Sequence, residues 1–421
     1  MAPVTTTHRT AALLTAGTLA LLLPAPAATA ATPREAPVLD GGGECAFPMK
    51  EQIRGTPWPL QRVLLDELWQ DTRGKGVRVA VIDTGVDDVN PQLRTAVDAG
   101  AGKDYLEPDK KNPGPGDERR GRTDGTVDEV GHGTKVAGII AARPREGTGF
   151  VGLAPEATII PIRQNDEKNN GKTDTMARAI DWAVAKNAHV INISQDTTQA
   201  LSPKSALARA VANAISKGVV VVASAGNDGV DGALGNTYPA AFPGVLAVAS
   251  SDRNNERAAF SQSGTFVDVA APGVDIVSTV PGDGQCVDNG TSFSAPYVAG
   301  VAALLRAKYP KWTPAQIVAR IEQTAVRSVN GRDNHVGWGV VDPVRALADL
   351  PGTPPSSPTP DPGPPRPPAP EPARLALSET PQERSERLAT YALGIGAVLV
   401  AVVAGTATVI RDGRRRKGAR P

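Results

Sequence analysis

The chain has 421 residues, 40% hydrophobic and 21% charged, with 45 Lys and Arg against 44 Asp and Glu. A formal charge of +1 excludes a chain held to nucleic acid by bulk electrostatics. Two cysteines exclude both a disulfide-framework miniprotein and a multi-cysteine zinc or iron–sulfur scaffold.

Residues 11–23, AALLTAGTLALLL, form a short apolar run after Arg9, followed by the small residues Ala28-Thr29-Ala30. This pattern predicts a secretory signal over residues 1–30, cut after Ala30. Residues 31–73 read as an N-terminal extension. Within it, Trp58-Pro59-Leu60 is expected to dock as a strand, and the stretch to Leu68-Trp69 to form a short helix.

From Gly74 to Leu350, β-branched runs alternate with helical segments. Val77–Ile82, Ala157–Ile162, Val190–Ile193, Val219–Ala223 and Val245–Ala249 read as buried strands, and 174–187 and 204–217 as amphipathic helices. The alternation predicts an α/β fold, a mostly parallel sheet covered by helices on both faces. Chemistry in such sheets gathers at the carboxyl ends of the strands. Between the first two of these strands, Lys103 to Glu129 holds 14 charged residues. It reads as a solvated surface insertion, without the regular ligand spacing of a calcium loop.

Residues 351–372 contain 12 prolines in 22 positions. They predict an extended polyproline spacer of up to about 70 Å within a linker and juxtamembrane segment spanning 351–387. Leu388 to Ile410 is an uncharged apolar run of 23 residues, about 34 Å as a helix and enough to cross a bilayer. The basic tail 411–421, with Arg411, Arg414, Arg415, Arg416 and Lys417, is expected in the cytoplasm by the positive-inside rule. These readings predict a single-pass protein of the cell membrane with its main domain outside.

Three motifs carry the chemistry. Asp83-Thr84-Gly85 ends the first strand. Gly131-His132-Gly133-Thr134 opens an apolar helix reaching Ala142. Gly290-Thr291-Ser292-Phe293-Ser294-Ala295-Pro296 opens another, running to Ala307. A serine hydroxyl is a weak nucleophile that needs an imidazole base within reach, and a carboxylate fixes the imidazole tautomer. A serine at a helix start also has free backbone N–H groups to offer a developing oxyanion. No motif calls for a metal or a cofactor. His189 and His335 lie outside any motif and read as structural.

The order of these motifs, together with Ala223-Ser224-Ala225-Gly226-Asn227 and Ala270-Ala271-Pro272-Gly273, resembles the subtilisin-like serine proteases over residues 74–349. The resemblance implies that Asp83 orients, that His132 is general base and then acid, and that Ser292 is the nucleophile. Asn227 and the backbone N–H of Ser292 would hold the oxyanion. It also implies that polypeptide substrates add as a strand between Arg163-Gln164-Asn165 and Ser194-Gln195-Asp196. Asp196 and Thr197 replace two glycines usual in the family, which leaves open a restricted specificity, for basic or small residues, or a weak activity. Cys45 and Cys286 are the only thiols of an oxidising compartment, and a bridge between them would pin the extension near the active-site rim.

Signal, Cys-bearing extension, protease domain, proline-rich linker, single span and basic tail together resemble the mycosins, membrane-anchored proteases of type VII secretion. That architecture implies type VII membrane components as partners. The competing class is a structural subunit of a secretion complex with secondary or little proteolytic activity.

Overall fold

The computed structural model describes residues 52–106, 122–166, 171–230, 234–349, 357–360 and 379–417. The signal segment, Cys45 and most of the proline-rich spacer lie outside these residues. The chain divides into two units, residues 1–361 and 362–421, described separately.

The first unit begins with two short helical turns, α1 (Trp58–Gln61) and α2 (Leu65–Leu68). Trp58 therefore opens a helical turn and not the expected strand. Pro57 and Pro59 account for this, because proline suits a helix start and cannot donate to a strand ladder. Both indoles dock by their N–H groups, Trp58 onto Val274 O at 2.9 Å and Trp69 onto Leu153 O at 2.8 Å.

The sheet is built from β1 (Arg78–Asp83), β2 (Lys103–Asp104), β3 (Thr158–Arg163), β4 (Val190–Ile193), β5 (Val220–Ser224), β6 (Leu246–Ser251) and β7 (Val269–Pro272). All pairs are parallel, in the order β2-β3-β1-β4-β5-β6-β7. The chain leaves β1 toward β3 on one side and returns to β4 on the other. The order thus reverses at β1, where a crevice opens beyond the strand ends. β8 (Ile276–Thr279) and β9 (Gln285–Asp288) form an antiparallel hairpin beside the main sheet.

Side-chain alternation sorts the core. In β1, Val79 and Val81 join the cluster packed against α3 (His132–Ala141) and α6 (Thr291–Lys308). Ala80 and Ile82 join the opposite cluster, under α4 (Thr173–Ala185) and α5 (Ala206–Ser216). α6 is buried continuously from Phe293 to Arg306, with helices and strands on all sides. α7 (Pro314–Thr324) and α8 (Pro343–Leu347) complete the layer.

The charge-rich segment is less solvated than expected where it is described. Lys103 and Asp104 supply β2, Asp128 is buried, and Asp104 and Glu129 both pair with Arg163, at 3.3 and 2.9 Å. Ion pairing for Asp104 and Glu129, and hydrogen bonding from neutral donors for Asp128, let these carboxylates enter the fold.

Two carboxylates near β7 carry a pH dependence. Burial and the neighbouring Asp268 push Glu322 of α7 up to about 8. An acid held above its ordinary pKa binds its proton more tightly when folded. Stability is therefore lost as pH rises from the ordinary carboxylate range to about 8. Glu322→Gln is expected to raise the melting temperature by about 5 °C at pH 9 and to change little at pH 5. Differential scanning calorimetry at the two pH values reads this, and an equal shift at both would contradict it.

The second unit contains one described helix, α9 (Pro381–Lys417), 37 residues long. Its most apolar 18 residues have a mean hydropathy of 2.3, so by length and composition it can cross a membrane.

Candidate active site

The ends of β1, β3, β4 and β5 and the starts of α3 and α6 converge on the crevice. Asp83, the last residue of β1, is fully buried and accepts from Thr84 N at 2.7 Å and from His132 Nδ1 at 2.7 Å. Its other oxygen is buried with no protein donor. The carboxylate fixes the proton on Nδ1 and leaves Nε2 as the acceptor facing outward. Burial disfavours the imidazolium, yet the charge and hydrogen bond of Asp83 outweigh it and hold the His132 pKa above the ordinary histidine range.

The approach of α3 to β1 depends on Gly133. A Cβ there would lie 2.0 Å from Gly85 O and 3.0 Å from Asp83 Cβ. Asp128 locks the same junction. It accepts from the Thr84 hydroxyl, Gly131 N and Thr134 N, each at 2.8 Å, and from the Thr134 hydroxyl at 2.5 Å. One buried carboxylate thus ties the end of β1 to the free N–H groups at the start of α3. Sequence reasoning missed Asp128. The signal was its place three residues before Gly131-His132, obscured by the surrounding charges.

Ser292 is the second residue of α6, half-buried at the cleft floor. Its hydroxyl donates to Ser194 O at 3.2 Å, and no hydrogen bond joins it to His132. Pro296 lies inside the same helix and has no N–H to give the carbonyl four residues earlier, that of Ser292. The Ser194 hydroxyl fills this gap, donating to Ser292 O at 2.8 Å, and is itself held by Asn192 Nδ2 at 2.9 Å. The serine and the loop after β4 are therefore bonded in both directions.

Asn227 follows β5. Its side-chain oxygen accepts from Thr291 N at 2.9 Å and from the Thr291 hydroxyl at 3.0 Å. That contact assigns the amide orientation and leaves Nδ2 as a donor on a residue that lines the same cleft as Ser292. The Ser292 N–H, in the first turn of α6, has no intrahelical acceptor.

A cleft of about 640 Å³ runs over these groups. His132, Ser292, Asn227, Gln164, Ser194, Gln195 and Asp196 all line it, and Asp83 stands behind His132. Arg163 does not line it. Its guanidinium is committed to Asp104 and Glu129 instead. The Gln164 amide donates to the Gln195 side chain, bridging the segments on either side of β1. Asp196 stays exposed on the cleft, yet the protein packed around it, aided by the Asp228 charge, pushes it up to about 6. Cys286 is buried on β9, six residues before Ser292, and no described cysteine is free. His189 Nδ1 accepts from Arg78 N, and His335 Nδ1 meets the Ser263 hydroxyl. Neither lines the cleft.

Comparison with known proteins agrees with this geometry. The model of the subtilase family matches residues 74–339. Subtilisin E of Bacillus subtilis is 37% identical over 300 residues, covering 71% of this chain and 72% of that protein. Among solved structures, the MycP3 protease from the type VII (ESX-3) secretion system aligns with TM-score 0.61 and 34% identity, over 71% of this chain and 91% of its own. MycP1 from Mycobacterium smegmatis aligns with TM-score 0.61 and 32% identity, over 79% and 91%. The family match runs from the turn before β1 to beyond α7, over the sheet and helices that build the cleft. The chain belongs to the subtilase family and is a subtilisin-like serine endopeptidase.

Proposed function

We propose that this protein is a membrane-anchored, extracytoplasmic endopeptidase that works through Asp83, His132 and Ser292 beside the membrane machinery of type VII secretion. The observation that carries the catalytic part is the 2.7 Å contact of Asp83 with His132 Nδ1, in a cleft that also holds Ser292. With substrate bound, the Ser292 hydroxyl turns from Ser194 O to His132 Nε2, gives up its proton and attacks the peptide carbonyl carbon. Asn227 Nδ2 and the Ser292 N–H receive the oxyanion. The imidazolium, stabilised by Asp83, protonates the departing amine. Water activated by the same imidazole then hydrolyses the acyl-enzyme.

A fluorophosphonate probe applied to the purified protein tests this. Labelling is expected on the wild type and not on Ser292→Ala; labelling that survives the substitution, or none on either, would sink the reading. Asn227→Ala is expected to lower kcat about 10²- to 10³-fold with little change in KM, measured on a peptide substrate.

The secretion context is supported by the MycP neighbours and by the apolar length of α9. Copurification of type VII membrane components with the tagged full chain tests it, and a chain that emerges alone from native membranes would count against it. A Cys45–Cys286 bridge is supported by the course of the extension. Gln52 bonds Asp283 at 3.0 Å and Ile53 N bonds the Gln285 side chain at 3.0 Å, which brings the extension onto the β9 hairpin beside Cys286. Intact mass before and after reduction is expected to differ by two hydrogens.

A further inference from the structure

We propose that Asp196, with Asp228 beside it, selects a lysine or arginine side chain on the residue whose carbonyl Ser292 attacks. This rests on the protease reading above and deepens it to a substrate class.

The place of Asp196 decides which substrate residue it meets. It lies two residues after Ser194, whose carbonyl holds the Ser292 hydroxyl, and its Oδ2 is 3.0 Å from where a Cβ on Gly226 would stand. Gly226 in turn precedes Asn227. The carboxylate is therefore flanked by both segments that grip the reacting carbonyl, and the side chain within its reach belongs to the residue on the acyl side of the cleaved bond. Its position is fixed, because Thr197 is paired to Tyr238 by two backbone hydrogen bonds of 3.0 and 2.9 Å.

The chemistry there is one-sided. Among the described residues, neither Asp196 nor Asp228 is met by a hydrogen-bond donor or a cation. The field each feels from the other is repulsive. Lys172 also lines the cleft but is not among the charges acting on Asp196. Independently, Gln164 is 1% exposed on the same cleft, with its side-chain oxygen lacking any donor. Acceptors on the cleft without a counter-charge favour a ligand that brings several N–H donors and positive charge on a long stem. Lysine and arginine side chains have this form, whereas an apolar side chain would leave Asp196 on the cleft without a partner.

The test uses the full chain in detergent, with EDTA, and peptidyl coumarin substrates that differ only at the residue before the cleaved bond. Lysine and arginine substrates are expected to exceed norleucine in kcat/KM by about 10- to 100-fold, and glutamate to be the poorest. Asp196→Asn is expected to bring the lysine-to-norleucine ratio within about threefold. Reading a ratio cancels any loss common to both substrates. Diphenyl phosphonate probes carrying lysine or norleucine side chains report the same preference from labelling of Ser292 without turnover. Equal reaction with both side chains, or a ratio unchanged in Asp196→Asn, overturns the proposal while leaving the protease reading intact. Turnover of all peptides alike that appears only on adding calcium would mean that the pair holds a metal ion, and also overturns it. No labelling by any probe, charged or neutral, would remove the protease reading and this proposal together.

Discussion

Ser292→Ala, His132→Ala and the double substitution are expected to lower kcat by the same factor, about 10⁶-fold, because the two groups act as a unit. Without the imidazole the hydroxyl keeps its proton, and without the hydroxyl the imidazole has nothing to activate. What remains in all three variants is binding and oxyanion stabilisation by Asn227 and the Ser292 N–H. Single-turnover and steady-state rates on one peptide substrate measure this. Costs that add, so that the double variant is far worse than either single one, would show that the groups act separately.

Asp83→Asn is expected to cost about 10⁴-fold in kcat near neutral pH, with KM little changed. An amide cannot accept the Nδ1 proton as the carboxylate does, so the imidazole is presented in the wrong tautomer. The pH profile provides a second readout. His132 must be neutral to take the serine proton, so activity falls as pH drops through its pKa. Asp83 holds that pKa above the ordinary range, so the wild-type acid limb should lie at higher pH than an unperturbed histidine gives. In Asp83→Asn the limb should move to lower pH. A limb that stays in place would mean that Asp83 does not set the charge of His132.

Much of this site was legible from local sequence. Asp83, His132, Ser292 and Asn227 each sit where a buried strand ends or a helix begins, and strand ends betray themselves by a β-branched run stopping at a polar residue. The central strands β1, β3, β4, β5 and β6 were legible for the same reason, each within a residue or two of its boundary. The elements that escaped carry weaker local signals. β7, β8 and β9 are four residues each, with serine, threonine and proline among them. α1 is a single turn whose Pro57 and Pro59 are compatible with either a strand edge or a helix start, whereas α2 falls where a short helix was expected.

Long-range polar contacts were not legible at all. The local signal of Asp128, its place before Gly131-His132, is masked by the other acids of its segment, and its bond to Thr84, 44 residues earlier, has no local signal. Arg163 ends β3, but its side chain pairs with Asp104 and Glu129 and does not line the cleft. The bond between Ser194 and the carbonyl freed by Pro296 joins residues 98 apart. Such partners are set by the fold and leave no periodicity to read.

The burial of α6 has a consequence for when the enzyme becomes active. A helix whose flank is apolar all round has no wet side on which to form in isolation, and short isolated helices are marginal in water. In chain order α6 follows all seven strands of the sheet. Its threading against finished strands and against α3 is a late, non-local event of the kind that makes such topologies slow. Ser292 therefore reaches its place only as the molecule completes itself. An unfolded chain carries Ser292, His132 and Asp83 as three unrelated side chains, far apart in sequence, that only the completed fold brings to one cleft.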